Sequence, residues 1–197
     1  MLEILLAQPR GFCAGVTRAI DVVSLALQRF GAPVYVFHEI VHNQHVVNDL
    51  RERGAIFVND VNDIPLGSVT IFSAHGVSKA VVNAAGRRHL ESIDATCPLV
   101  TKVHLQAQRF HARGYHLVMI GHAGHEEVEG TIGSVDGPVH LVATRDDVDN
   151  LPWAQEAPVA YVTQTTLSLD DTRDLLSALK QKYPHVVGPE VLSLIHI

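Results

Sequence analysis

Asp94-Ala95-Thr96-Cys97-Pro98-Leu99-Val100-Thr101-Lys102 is the stretch that makes the fold of this chain readable. A short apolar run at 93–95 reads as a strand, and Pro98 suits the first turn of a helix over 98–113. Thr96 stands where a capping residue is wanted, so a strand passes almost directly into a helix with a thiol at the junction. The same grammar occurs near the start. A strand at 3–7 is followed by Cys13-Ala14-Gly15-Val16-Thr17-Arg18 and a helix over 17–30. The two segments share the pattern Cys-x-x-Val-Thr-basic, which reads as an internal repeat.

Outward from these two points the chain keeps alternating. Apolar runs at 33–37, 55–58, 69–72, 117–120, 139–142 and 159–162 read as further strands, and 44–53, 79–89 and 169–183 as helices. Gly31, Gly54 and Gly114 stand just past three of the helices, where a residue of positive φ ends a helix cheaply. Alternating strands and helices imply parallel sheets with helices on their faces. The expected fold is therefore α/β: repeated small parallel-sheet lobes around a central site, one over 1–95 and one over 96–190.

The bulk properties narrow the class. At 197 residues the chain can hold one large or two small domains. A net charge of −6 argues against a broad nucleic-acid footprint, and two cysteines cannot form a disulfide framework. The first residues carry Glu3 where a signal peptide needs positive charge, and no run approaches the roughly 20 apolar residues of a membrane helix. A cytoplasmic protein with reduced thiols, and no membrane or nucleic-acid partner, is expected. Histidine is the anomaly, with 13 in the chain.

Ligands of parallel sheets bind outside the carboxyl ends of the strands. Those ends carry Cys13, the segment His38-Glu39-Ile40-Val41-His42-Asn43, His75, Cys97, the segment His122-Ala123-Gly124-His125-Glu126-Glu127, and Thr165. The order repeats: His42 follows Cys13 by 29 residues and His125 follows Cys97 by 28. Singly, each has an ordinary explanation. A thiol is commonly a small buried hydrophobe, Glu126, Glu127 and Glu129 suit a first helical turn, and His38, His104, His111, His116 and His140 read as core or surface fillers. Together they read as a metal or anion site between two lobes. Thiolates favour zinc or an iron–sulfur cluster, whereas imidazoles near helix starts suit phosphate. A non-redox zinc- or phosphate-binding α/β protein stays open at this point.

The same segments resemble a known family. Pro9-Arg10-Gly11-Phe12-Cys13-Ala14-Gly15-Val16, Glu39-Ile40-Val41-His42-Asn43, Phe72-Ser73-Ala74-His75-Gly76-Val77-Ser78, the stretch around Cys97, Gly121-His122-Ala123-Gly124-His125 and Thr163-Gln164-Thr165-Thr166 are similar to 4-hydroxy-3-methylbut-2-enyl diphosphate reductases. The resemblance implies a [4Fe-4S] enzyme of non-mevalonate isoprenoid biosynthesis. Such an enzyme removes the hydroxyl of an allylic diphosphate reductively, giving isopentenyl and dimethylallyl diphosphate, with electrons from a flavodoxin- or ferredoxin-like protein. It implies three α/β lobes around the cluster. By the match, Cys13 and Cys97 ligate iron, and His42, His75 and His125 bind the diphosphate. Glu127 delivers protons, and Thr165 holds the substrate hydroxyl and relays a proton.

Three positions depart from that pattern. Glu126 stands where the family usually has proline, and Thr17 where an acid is common. After Glu190 the family continues into a third cysteine and a third lobe, whereas here the apolar stretch 191–197 follows. Two of three lobes, and little or no activity for this chain by itself, are the expectations.

Overall fold

The computed structural model describes residues 4–6, 8 and 10–189. Two parallel sheets form the frame. The first contains β1 (Val34–Phe37), β2 (Ala55–Val58), β3 (Val69–Phe72) and β4 (Glu91–Asp94) in the order β2-β1-β3-β4. The second contains β5 (His116–Ile120), β6 (Val139–Val142) and β7 (Val159–Thr163) in the order β6-β5-β7. All pairings are parallel, so each connection crosses over, mostly through a helix. These are α1 (Ala14–Phe30), α2 (Gln44–Glu52), α3 (Lys79–Arg87), α4 (Pro98–Ala112), α5 (Glu126–Ile132), α6 (Arg145–Asp149) and α7 (Leu169–Lys182).

Strands in such sheets bury both faces, and the side-chain alternation shows how. Val118 and Ile120 of β5 pack with Leu176, Leu179 and Tyr183 of the α7 side. Leu117 and Met119 point the other way, onto Ala107 and Phe110 of α4. In the first sheet Val34, Val36 and Ile71 meet Ala19, Val23 and Ala26 of α1. Phe37 and Phe72 cover the opposite face with Ile64, Ala85 and Leu90.

Most expected elements appear within two or three residues of their expected bounds, and Gly31, Gly54 and Gly114 all adopt positive φ. The strand expected at 3–7 falls partly outside the described residues, and residues 4–6 are exposed and unpaired. The tail 191–197 lies outside them entirely. Thr96 is not the cap of α4. Cys97 is, without a side-chain cap bond, because the Asp94 side chain accepts the Thr96 N–H and turns the chain one residue later. Helix α6 was not expected, and α5 was anticipated only through Glu126, Glu127 and Glu129, which do occupy its first turn.

The two sheets are joined where the site lies. Arg18 of the first Cys-x-x-Val-Thr-basic segment donates to the Thr96 carbonyl beside the second, at 2.9 Å. The Cys97 N–H reaches back to the Ala74 carbonyl at 2.9 Å. Helix α5 of the second sheet lies against the loop after β3. A Cβ on Gly130 would stand 3.0 Å from the Gly76 oxygen, and one on Gly133 would meet Ser78, so two glycines permit this approach.

Candidate functional site

Both thiols occupy the N-cap position of a helix, Cys13 on α1 and Cys97 on α4, and neither spends its sulfur on capping. The repeated sequence pattern thus produces a repeated placement. The two converge on one glycine: a Cβ added to Gly15 would come 2.7 Å from Cys97 Sγ and 3.8 Å from Cys13 Sγ. Both are free cysteines, with Cys13 exposed. A soft, uncommitted donor pair facing one space fits two ligands of an iron–sulfur group.

That space is a cavity of about 310 Å³ lined by Cys13, Cys97, His42, His75, Glu127 and Thr165, among others. Its position follows from topology. In the first sheet the chain reverses direction of winding between neighbours β1 and β3, and His42 and His75 follow those strands. In the second sheet the reversal lies between β5 and β7, and Glu127 and Thr165 follow them.

Glu127 is 1% exposed, a burial that demands satisfied oxygens. Both accept from Thr165: Oε1 from the backbone N–H at 2.7 Å and Oε2 from the hydroxyl at 2.9 Å. Burial pushes the Glu127 carboxyl above its ordinary value, against the pull of the Thr165 hydrogen bonds and His75. The site therefore holds a carboxyl group biased toward keeping its proton, next to a hydroxyl that can pass one on.

Three imidazoles gather beside it. His42 stacks on His75 with ring centroids 4.2 Å apart, and His125 meets them edge-on at 5.3 and 5.7 Å. His125 also caps α5, its Nδ1 accepting the Glu127 N–H at 3.1 Å. In the neutral ring that bond leaves the proton on Nε2, available as a donor. Burial, then the neighbouring His75 and His42, hold His125 below its ordinary pKa. Asn43 fixes the approach of His42 by capping α2, accepting the N–H groups of His45 and Val46.

Two residues at those strand ends do more than the first-turn and filler roles read for them. Glu126 contacts three histidines: His75 Nδ1 at 3.0 Å, His42 Nε2 at 3.5 Å and His38 Nδ1 at 3.7 Å. His38, expected as a filler, instead sits at positive φ (62°) directly after β1, which turns its ring toward Glu126. Nothing in a sequence marks a left-handed histidine. His104, His116 and His140 do pack as expected, the last two around Trp153.

A family model described as LytB protein matches residues 4–192. The chain belongs to the LytB family. Similar relatives are the 4-hydroxy-3-methylbut-2-enyl diphosphate reductases of Zymomonas mobilis, 57% identical over 96% of this chain and 56% of that one, and of Azoarcus sp., 58% identical over 95% and 60%. Among solved structures, the E-1-hydroxy-2-methyl-but-2-enyl-4-diphosphate reductase of Plasmodium falciparum superposes with a TM-score of 0.90. It is 44% identical over 93% of this chain and 57% of its own. A second, (E)-4-hydroxy-3-methyl-but-2-enyl diphosphate reductase, gives 0.80 at 29% identity, over 98% of this chain and 68% of its own. This LytB chain thus spans 56% to 60% of the length of those two curated relatives. No helix among the described residues is long and apolar enough to cross a membrane.

Proposed function

We propose that this chain is part of an oxidoreductase that removes the hydroxyl of 4-hydroxy-3-methylbut-2-enyl diphosphate, giving isopentenyl and dimethylallyl diphosphate in isoprenoid biosynthesis. The observation that carries this reading is the single cavity in which two uncommitted thiols, two of the three clustered imidazoles and the Glu127–Thr165 pair meet. Residues 1–95 and 96–190 are assigned as two of three lobes, and the work is placed in the cytoplasm. A flavodoxin- or ferredoxin-like protein is the assigned electron source.

Cys13 and Cys97 would hold the [4Fe-4S] cluster, which supplies single electrons and a Lewis-acidic iron when bound. The chain's own residues do the rest. His42, His75 and His125 donate N–H groups to the diphosphate, and anchoring that remote group orients the reacting carbon. The Thr165 hydroxyl is within reach of Glu127 Oε2 at 2.9 Å and can turn to the substrate oxygen, carrying a proton outward. Glu127, whose Oε2 accepts from Thr165 in this geometry, is the buried carboxyl that would resupply that proton through the same contact. Two electrons and two protons enter in all; one C–O bond breaks, one C–H bond forms and water leaves.

In a full-length enzyme carrying this segment, His42→Ala is expected to raise KM for the diphosphate about tenfold, the scale of one charge-assisted hydrogen bond, with a smaller change in kcat. Steady-state kinetics measure both. An unchanged KM would remove His42 from the anion site.

A further inference from the structure

We infer that His42, His75 and Glu126 form a binding site for a divalent first-row cation of the zinc class, separate from the thiol pair. The three ligand atoms, one from each side chain, lie within 4.8 Å of one another. Two of the separations are diagnostic. Tetrahedral bonds of about 2.0–2.1 Å place neighbouring ligand atoms roughly 3.3 Å apart. Glu126 Oε2 stands 3.0 Å from His75 Nδ1 and 3.5 Å from His42 Nε2.

The carboxylate is prepared for a cation. Oε2 is buried, and its close neighbours are the ring nitrogens of His75 and His42. Oε1 instead faces His38 Nδ1 at 3.7 Å, on the side away from the other two rings' contacts with Oε2. One cation between His42, His75 and Glu126 would engage all three ligand atoms at once. Two imidazoles and one carboxylate make a set suited to zinc-class ions, with a position left open. Access exists from two sides. His42 and His75 line the 310 Å³ cavity, and Glu126 with His38 lines a neighbouring one of about 220 Å³.

The site shares two imidazoles with the diphosphate reading but does not rest on it, and it is an alternative occupancy, since a ring nitrogen that ligates a cation has no proton to donate. The test is cobalt(II) titration of a full-length enzyme carrying this segment, with its thiols removed in two ways: by alkylation, and by serine at every cysteine, Cys13→Ser and Cys97→Ser among them. In both preparations one equivalent is expected to bind with weak visible bands and no sulfur charge-transfer. Glu126→Gln and His42→Ala are each expected to weaken that binding at least tenfold. Glu126→Gln removes an anion, so it is expected not to weaken binding of inorganic pyrophosphate, which separates the two readings. Absence of cobalt binding in both preparations, or affinity unchanged by Glu126→Gln, would overturn the proposal.

Discussion

Replacing Glu127 by Gln in a full-length enzyme carrying this segment is expected to lower turnover by roughly 10²- to 10⁴-fold, the usual contribution of a positioned proton donor. Diphosphate affinity should be nearly unchanged, because Glu127 contacts Thr165 rather than the imidazole cluster's anion-facing nitrogens. The substitution is also expected to cost no stability at neutral pH. The Gln carbonyl can keep the Thr165 N–H, and its amide can donate to the Thr165 oxygen in place of the present O–H donation. The charge argument points the same way. Burial raises the folded-state pKa of this carboxyl above its unfolded value. Its contribution to stability is therefore full below about 4.5 and is lost as pH rises through the folded pKa. Gln removes that loss. Kinetics alongside thermal unfolding at pH 4 and pH 7 test both halves. Normal turnover would transfer the acid role away from Glu127, with its neighbour Glu126 the next candidate.

Gly15→Ala in a full-length enzyme carrying this segment should abolish iron loading without unfolding the protein. Within α1, alanine is a better helix former than glycine by about 1 kcal/mol, so the helix itself gains. The new methyl, however, would stand 2.7 Å from Cys97 Sγ, inside any tolerable contact. The sulfur must rotate away from the space it shares with Cys13. Far-UV circular dichroism is expected to be unchanged, while iron per chain falls at least tenfold. Full iron content in Gly15→Ala would show that Cys97 does not need to face Gly15.

Strands and long helices were legible because period and punctuation agree at each. β2 and β3 fall at 55–58 and 69–72, as their apolar runs indicate. The repeated Cys-x-x-Val-Thr-basic pattern correctly marked two equivalent helix starts, though α1 begins at Ala14 rather than at residue 17 and so includes Gly15. Helices α5 and α6 have seven and five residues, too short for periodicity to register. The cavity residues were found because their types are chemically conspicuous and follow strand ends. The contacts of Glu126 and His38 were missed for physical reasons. Their contacts join loops after β1, β3 and β5, and depend on a left-handed backbone and on the close approach that Gly130 and Gly133 allow.

The central claim is that Cys13 and Cys97 share one metal group inside the cavity that also holds Glu127 and Thr165. The direct measurement is iron and acid-labile sulfide in anaerobically purified full-length enzyme carrying this segment, compared with Cys13→Ser and Cys97→Ser. Iron and sulfide in equal amounts are expected in the parent, with both lost or labile in each variant. Zinc without sulfide in the parent, or iron and sulfide unchanged in both variants, would contradict the account.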